Sequence, residues 1–422
     1  MTEKKRILFI SFYAPPINMV ASDRTVKFIH TFISKGFDVT LITADVQNLK
    51  QEFIDESLNR LLSDKVKIIR VPFRKGYSPN FLFSKNNDQL VGRFSNFMTG
   101  LIFRLTSDLG WGWMKPLRKT LEELCAKQKY DLVFASGGPF LSFLPSGEVS
   151  KKFGIPLILD YRDTWTDKNY KFFGQNKFVP GFIESKVNSL ASVVITVSEG
   201  CKKILAKRTE EKKIKVVYNF PSREYAKIIT DHKPDSISDN PGHFTIAYAG
   251  MMFGKHSVIP LLDAFDFLNE ESRNKIRFLY CGSNAGFVKN CFEKKGYLHL
   301  FENRGMLPKQ EAIQLIRGAS MCYNIVHDDP FSNDYAILGT ITTKIFDYIV
   351  LDKIILNICP ERNEVRMLTS KYNLTNIQNF NGAQSKEIAA FLEKVTHHQL
   401  SLPVQDTSAL MWENQDFSWL DQ

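Results

Sequence analysis

Short runs of β-branched and aromatic residues alternate with longer stretches of helical periodicity along the whole chain, and that alternation most limits what it can fold into. Strands separated by helices cannot pair as hairpins; each must cross over and return parallel, giving βαβ units. In the first half the strand runs are 7–13, 39–43, 66–72, 132–136, 157–161, 193–197 and 214–218, with helices at 22–35, 114–127, 141–153, 181–190 and 199–207. Residues 219–243 lose periodicity and collect Pro221, Pro234, Pro241 and Gly242, as a linker would. A second series follows, with strands at 245–249, 276–281, 298–301, 321–326 and 354–358 and helices at 258–269, 287–295, 309–317, 342–350 and 386–394. The prediction is an α/β chain of two doubly wound domains: 1–220, a linker 221–243, 244–398, and a tail 399–422 free to pack back on the first domain.

The 422 residues suit two such domains, because one core rarely organises more than about 250–300 residues. Six cysteines lie far apart, with no Cys-x-x-Cys pair, so they read as reduced packing residues rather than a disulfide or zinc framework. No run approaches the ~20 apolar residues that span a bilayer, and the first apolar segment is too short for a secretory leader, so a cytoplasmic protein is expected. Lys plus Arg number 55 against 45 Asp plus Glu, a surplus that favours anionic partners. The basic residues are dispersed and no recognition motif accompanies them, which argues against nucleic acid. Residues 74–112 interrupt the rhythm; within them 93–105 mixes Phe, Leu and Ile with Arg93 and Arg104, and reads as a surface-lying amphipathic segment able to touch a membrane, or as an ordinary packed helix.

Open α/β sheets bind ligands outside the carboxyl ends of their strands, so the strand-to-helix loops of the two domains are expected to line a shared cleft. Gly250-Met-Met-Phe-Gly-Lys255 is such a loop: Gly250 and Gly254 let an anion approach the backbone, and Lys255 adds a point charge. Lys344 and Asp347, three apart on one helix, can reach a single ligand or simply pair on the surface. Asp160, Arg162 and Asp163 close a strand, where they can orient an attacking hydroxyl and bind a phosphate, or lock the loop as a buried network. Neither half has Gly-x-Gly-x-x-Gly after its first strand, which disfavours a dehydrogenase.

Several segments, in order and over nearly the whole chain, resemble glycosyltransferase family 4, in particular its bacterial surface-polysaccharide branch. They are Arg6-Ile-Leu-Phe-Ile-Ser-Phe-Tyr-Ala-Pro-Pro16, Tyr130-Asp-Leu-Val-Phe-Ala-Ser-Gly-Gly-Pro139, Gly154-Ile-Pro-Leu-Ile-Leu-Asp-Tyr-Arg-Asp-Thr-Trp165, Phe278-Leu-Tyr-Cys-Gly-Ser283 and Thr343-Lys-Ile-Phe-Asp-Tyr348. The resemblance implies two Rossmann-like domains (the GT-B fold) and a retaining, metal-independent transferase with no cofactor. It takes a nucleotide-sugar donor and a glycan or lipid-linked acceptor.

By the same resemblance the donor contacts Gly250, Gly254, Lys255, Gly282, Gly339, Thr340, Lys344 and Asp347, with Asp347 on the ribose. The acceptor meets Pro15, Pro16 and Arg24, and the catalytic groups are Asp160, Arg162, Asp163 and Lys255. The chain departs from the family pattern twice: Met251 stands where an arginine is usual, and Gly339 stands where the first of two glutamates belongs. An altered donor sugar is one reading of that gap, with backbone of the 336–339 loop substituting. A nucleotide-sugar epimerase or phosphorylase of the same architecture, and an inactive nucleotide-sugar-binding subunit, are the competing readings.

Overall fold

The computed structural model describes residues 4–47, 49–73, 101–103, 105, 106, 108, 110–166, 178–231, 243–327, 329, 334–397 and 405–420. The chain divides into two compact units, Met1–Tyr218 with Asp416–Gln422, and Asn219–Gln415.

The first unit is built on a parallel sheet of seven described strands, β1 (Arg6–Ser11), β2 (Asp38–Ala44), β3 (Lys67–Val71), β4 (Leu132–Ser136), β5 (Leu157–Tyr161), β6 (Val193–Thr196) and β7 (Ile214–Val216), in the order β3-β2-β1-β4-β5-β6-β7. Ile7, Leu8, Phe9 and Ile10 of β1 are all buried, because helices cover both faces of the sheet. The order reverses between β1 and β4, so the loops leaving these neighbours diverge and open a crevice above their carboxyl ends.

The second unit repeats the plan with β8 (Phe244–Ala249), β9 (Ile276–Cys281), β10 (Phe301–Asn303), β11 (Met321–Ile325), β12 (Ile354–Ile358) and β13 (Ile377–Phe380), ordered β10-β9-β8-β11-β12-β13. Its reversal lies between β8 and β11. The fold class expected from the alternation is the one observed.

Four expectations need correction. Residues 298–300 form a 3-10 turn and the strand is Phe301–Asn303, registered on Phe278, Leu279 and Tyr280 of β9. The strand Ile377–Phe380 is half polar in sequence, which hides it from the alternation. Arg223–Asp231, inside the expected linker, is a helix that buries Ala226 and Ile229; Pro221 precedes it and does not interrupt it. Glu364–Lys371 is a further helix outside the expected set, capped by the side chain of Asn363.

Of the other expected features, residues 232–242 of the linker and 74–100 of the insertion lie outside the described residues, so the membrane-facing reading of that insertion falls largely outside them too. Leu101 and Leu105, in its described part, are exposed. Near the C-terminus Phe417 and Trp419 are buried in the first unit, with ring centroids 6.4 Å from Phe28 and 6.5 Å from Phe134 respectively. All six cysteines are free and buried. Among the described residues no helix is long and apolar enough to cross a membrane.

Candidate functional site

Each unit places chemistry-bearing side chains at its own sheet reversal. In the second unit β8 and β9 end in Ala249-Gly250 and Cys281-Gly282, and the two backbones nearly touch. The Gly250 amide donates to the Cys281 carbonyl at 2.7 Å, and a Cβ at Gly282 would lie 2.0 Å from the Gly250 carbonyl oxygen. Gly250 has φ 135° and Gly282 φ 155°, so glycine is required at both on conformation as well as on space. A Cβ on Gly250 would also meet the Lys344 amine at 2.8 Å. The bare backbone is what admits that amine to the end of β8.

Lys344 opens the helix Lys344–Val350, and its Nζ donates to the Tyr248 hydroxyl at 2.5 Å while lying 4.0 Å from the centroid of the same ring. Among the described residues it forms no ion pair. Burial alone pushes its amine down to about 7, since a desolvated ammonium without a countercharge loses its proton more readily. Tyr248 contacts His256 Nε2 at 2.8 Å, and His256 Nδ1 lies 3.3 Å from the Val326 carbonyl. Burial, reinforced by the Lys344 charge, lowers His256 to about 4 and keeps the ring neutral. Its only donor then serves Val326, so Nε2 is left as an acceptor that shares the one Tyr248 proton with the Met251 carbonyl at 3.0 Å, while the Tyr248 lone pair accepts from Lys344.

The other residues expected to hold the donor are less uniform. Gly254 (φ 52°) makes the tight turn in which Phe253 and His256 exchange backbone hydrogen bonds, both 2.9 Å. Lys255 at that turn is 63% exposed and 3.9 Å from Asp329, a weakly held surface pair rather than a fixed clamp. Asp347 is half-buried and accepts from the Tyr225 hydroxyl at 2.9 Å.

In the 336–339 loop, where free backbone was anticipated, the amides of 337, 338 and 339 and the carbonyls of 337 and 338 are already hydrogen-bonded. The amides of Ile337, Leu338, Gly339 and Thr340 donate to Asp334, Asp334, Tyr335 and Ile337 carbonyls. The carboxamide of Asn363, wholly buried, donates to the carbonyls of Ile337, Leu338 and Thr340, each at 3.1 Å. Gly339 is buried and Thr340 exposed. Glycine at 339 therefore leaves no carboxylate and no spare amide at that position.

A polar ladder crosses the same sheet edge. Thr342 donates to Asn324 at 2.5 Å, Asn324 to Asn357 at 2.7 Å, Asn357 to Asn379 at 2.6 Å, and Asn379 to Thr369 at 3.1 Å. The asparagines are register partners on β11, β12 and β13, so consecutive carboxamides stack at strand spacing. The ladder ties the residues before Lys344 to three strands.

In the first unit Arg24 and Asp160 meet in a buried bidentate pair. Arg24 Nη2 and Nε lie 2.7 and 3.0 Å from the two carboxylate oxygens, and the residues are 2% and 0% exposed. Ser136 donates to Asp160 at 2.8 Å, and Arg24 Nη1 reaches the Val217 carbonyl at 3.0 Å. Of the two readings of Asp160 this is the buried network: Arg24 is not open to an acceptor, and Asp160 has its oxygens committed to fixing the ends of β4, β5 and β7. Pro15 and Pro16 are buried too, and their carbonyls accept from Arg70 and from the Asp55 amide.

Arg162 is half-buried and differently engaged. Its Nε and Nη2 donate to the Gly137 and Gly138 carbonyls, both at 2.7 Å, and its guanidinium carbon lies 5.3 Å from the Tyr13 centroid. Gly138 (φ 88°) has the side of its Cα against Arg162 Nη2, where a Cβ would be 3.0 Å away. Nη1 has no partner among the described residues. Burial pushes the Tyr13 phenol up to about 12 against the opposing pull of Arg162, so it stays a neutral donor. Asp163 beside it is exposed.

Sequence reasoning named Gly250, Gly282, Lys344 and Arg162 but missed Tyr248, His256, Asn363 and the asparagine ladder. Only His256, two residues past the glycine turn, carried a local signal.

Residues 24–225 match the family model described as Glycosyltransferase Family 4. Among solved structures, TarM superimposes with a TM-score of 0.62 at 10% identity, over 98% of this chain and 95% of that one. HepE of Anabaena, in complex with UDP, gives 0.58 at 12% identity over 94% and 91%. The lipopolysaccharide outer core galactosyltransferase WaaB gives 0.57 at 13% identity over 99% and 97%. A UDP-N-acetylglucosamine 2-epimerase of Listeria monocytogenes, described as putative, gives 0.52 at 12% identity over 97% and 94%. At these identities the structural likeness establishes the two-domain GT-B fold. No curated protein sequence matches the chain.

Proposed function

We propose that this chain, which has the GT-B fold and matches the Glycosyltransferase Family 4 model over residues 24–225, is a glycosyltransferase that takes a nucleotide sugar at the reversal of its second sheet. The sugar passes, with retention and without a metal, to a glycan or lipid-linked acceptor of surface-polysaccharide synthesis. The observation that carries the donor side is Lys344: a half-buried amine without an ion-pair partner among the described residues, reaching the glycine-floored end of β8. An isolated buried cation is costly, and an anion supplied by a ligand removes that cost.

In this reading the donor diphosphate lies against Gly250 and Gly282 with Lys344 on its oxygens, and Lys255 swings in from the exposed turn. Asp347 takes the ribose hydroxyls. The bond between the anomeric carbon and the β-phosphate oxygen breaks, and the charge developing on the leaving diphosphate is met by Lys344, where low dielectric makes it effective. The acceptor oxygen bonds to the anomeric carbon on the face the diphosphate leaves, and its proton passes to a phosphate oxygen. With Asp160 committed to Arg24, the acceptor-side candidates are Arg162 Nη1, suited to an acceptor phosphate, and the exposed Asp163. Gly339 and its self-satisfied loop favour a donor sugar needing no carboxylate contact there, such as a deoxy or acetamido sugar. A peripheral, cytoplasmic-face membrane location through 74–112 completes the proposal.

The test is acceptor-dependent release of nucleoside diphosphate from UDP-, GDP- and dTDP-sugars, with UDP-sugars first because HepE was solved with UDP. Turnover to an isomeric nucleotide sugar with no acceptor present would establish an epimerase instead, a reading kept open by the shared fold of the Listeria protein.

A further inference from the structure

We propose that His256 is a positioning residue: acting through the Tyr248 hydroxyl, it holds the Lys344 amine at the sheet reversal in the orientation that receives the donor diphosphate. The inference rests on the donor reading above and adds to it residues that no part of that reading assigns.

The geometry is a three-member chain across the gap between β8 and β11. Tyr248 is on β8, and Val326 directly follows β11. His256 bridges them with one ring nitrogen on each, 2.8 Å to the Tyr248 oxygen and 3.3 Å to the Val326 carbonyl. The Phe253 ring stacks on the imidazole at 5.6 Å, and Phe253 and His256 exchange backbone hydrogen bonds, so the ring has little freedom to turn.

Tyr248 has three neighbours at its oxygen: His256 Nε2, the Met251 carbonyl at 3.0 Å and Lys344 Nζ. It has one proton to give. If that proton goes to His256, the oxygen polarises toward Lys344 and becomes a better acceptor for an ammonium. A second cation on His256 would oppose the first, so the relay carries one positive charge.

The ionisable groups around it are few. Tyr280 on β9, whose phenol burial pushes up, stacks on Tyr248 with centroids 6.0 Å apart, and the Tyr323 ring on β11 lies 6.2 Å from it. His327 follows Val326, and Lys255 and Asp329 form their exposed pair nearby. None supplies Lys344 with a countercharge. The ammonium therefore depends on the Tyr248 lone pair until a diphosphate arrives.

The experiment measures binding of UDP, GDP and dTDP by titration calorimetry at pH 6 and pH 8, on wild type and on Lys344→Met, His256→Phe, His256→Gln and Tyr248→Phe proteins. Melting curves establish that each is folded. Binding that Lys344→Met abolishes supports the donor reading; binding it leaves intact overturns that reading and this one with it.

Given the former, His256→Phe and Tyr248→Phe should lose roughly tenfold in affinity at pH 8 and much less at pH 6, where Lys344 is protonated regardless. His256→Gln, which can accept at the Nε2 position, should recover most of the loss. Wild-type affinity in the Phe variants at both pH values would overturn the positioning role alone. So would an equal loss at both pH values that Gln does not rescue, which is the mark of a merely structural ring.

Discussion

Gly282 and Gly250 touch through their backbones: a Cβ on the first would sit 2.0 Å from the carbonyl oxygen of the second. The contact brings the exits of β8 and β9 together and leaves the floor on which Lys344 rests. Gly282→Ala must push the Gly250 carbonyl aside and adopt φ near 155°. We expect a stability loss of about 1–3 kcal/mol and a weakened nucleotide affinity, measured by denaturation and calorimetry.

Arg24 and Asp160 are a fully buried pair, so they should behave as structure rather than as catalysts. Arg24→Met or Asp160→Asn alone leaves a partner unsatisfied, and each should cost about 3–5 kcal/mol in urea unfolding. The double variant should recover part of that, giving a coupling energy well above the ~0.5 kcal/mol expected of independent sites. Additive losses would place the two residues in unrelated roles.

The asparagine ladder predicts a second hidden dependency. Asn357→Leu removes a donor and an acceptor at once, leaving the wholly buried Asn324 amide and the half-buried Asn379 carbonyl without their ladder partner. A loss of about 2 kcal/mol or more is expected, together with weaker nucleotide binding, because Thr342 and the start of the Lys344 helix lose their tie. The neighbouring Gln378 cannot compensate, because its amide already donates to the Thr375 carbonyl.

Trp419, 3% exposed against Phe134, anchors the chain end in the first unit. Trp419→Ala should cost about 3–5 kcal/mol, read as a lowered melting temperature. A surface tail would give no change.

Lys344 also predicts a pH dependence of stability. Its amine is pushed down to about 7 in the folded protein but titrates near 10.4 when unfolded, roughly the ordinary lysine value. Between those values the unfolded state binds more protons, so stability rises with pH across that window. His256, lowered to about 4, adds a rise between about 4 and its ordinary value near 6.5. Lys344→Met should flatten the upper rise and raise the melting temperature at pH 7, the opposite of its effect on binding.

How much of this was legible beforehand differs by level. The alternation of strand and helix patterns located most strands, since buried parallel strands such as Ile7 to Ile10 are apolar on both faces. It failed at Ile377–Phe380, where Gln378 and Asn379 serve hydrogen bonds that a hydrophobic pattern cannot register. It failed at Arg223–Asp231 because prolines and polar residues around a short helix outweigh its two buried contacts.

The candidate site was legible where glycine or a lone charge marks it, at Gly250, Gly282 and Lys344. Tyr248 was hidden as one more aromatic of a strand, and the ladder joins asparagines 33 and 22 positions apart. Asp160 and Arg24 were read from their chemistry, and only burial shows that each already spends it on the other.

The most direct test of the donor site is the melting temperature of wild-type and Lys344→Met protein with UDP, GDP and dTDP each added in turn. One of the three should stabilise the wild type, by about 2.7 kcal/mol at a hundredfold excess over its dissociation constant, and leave Lys344→Met unmoved. A nucleotide that stabilises both proteins equally would contradict the assignment.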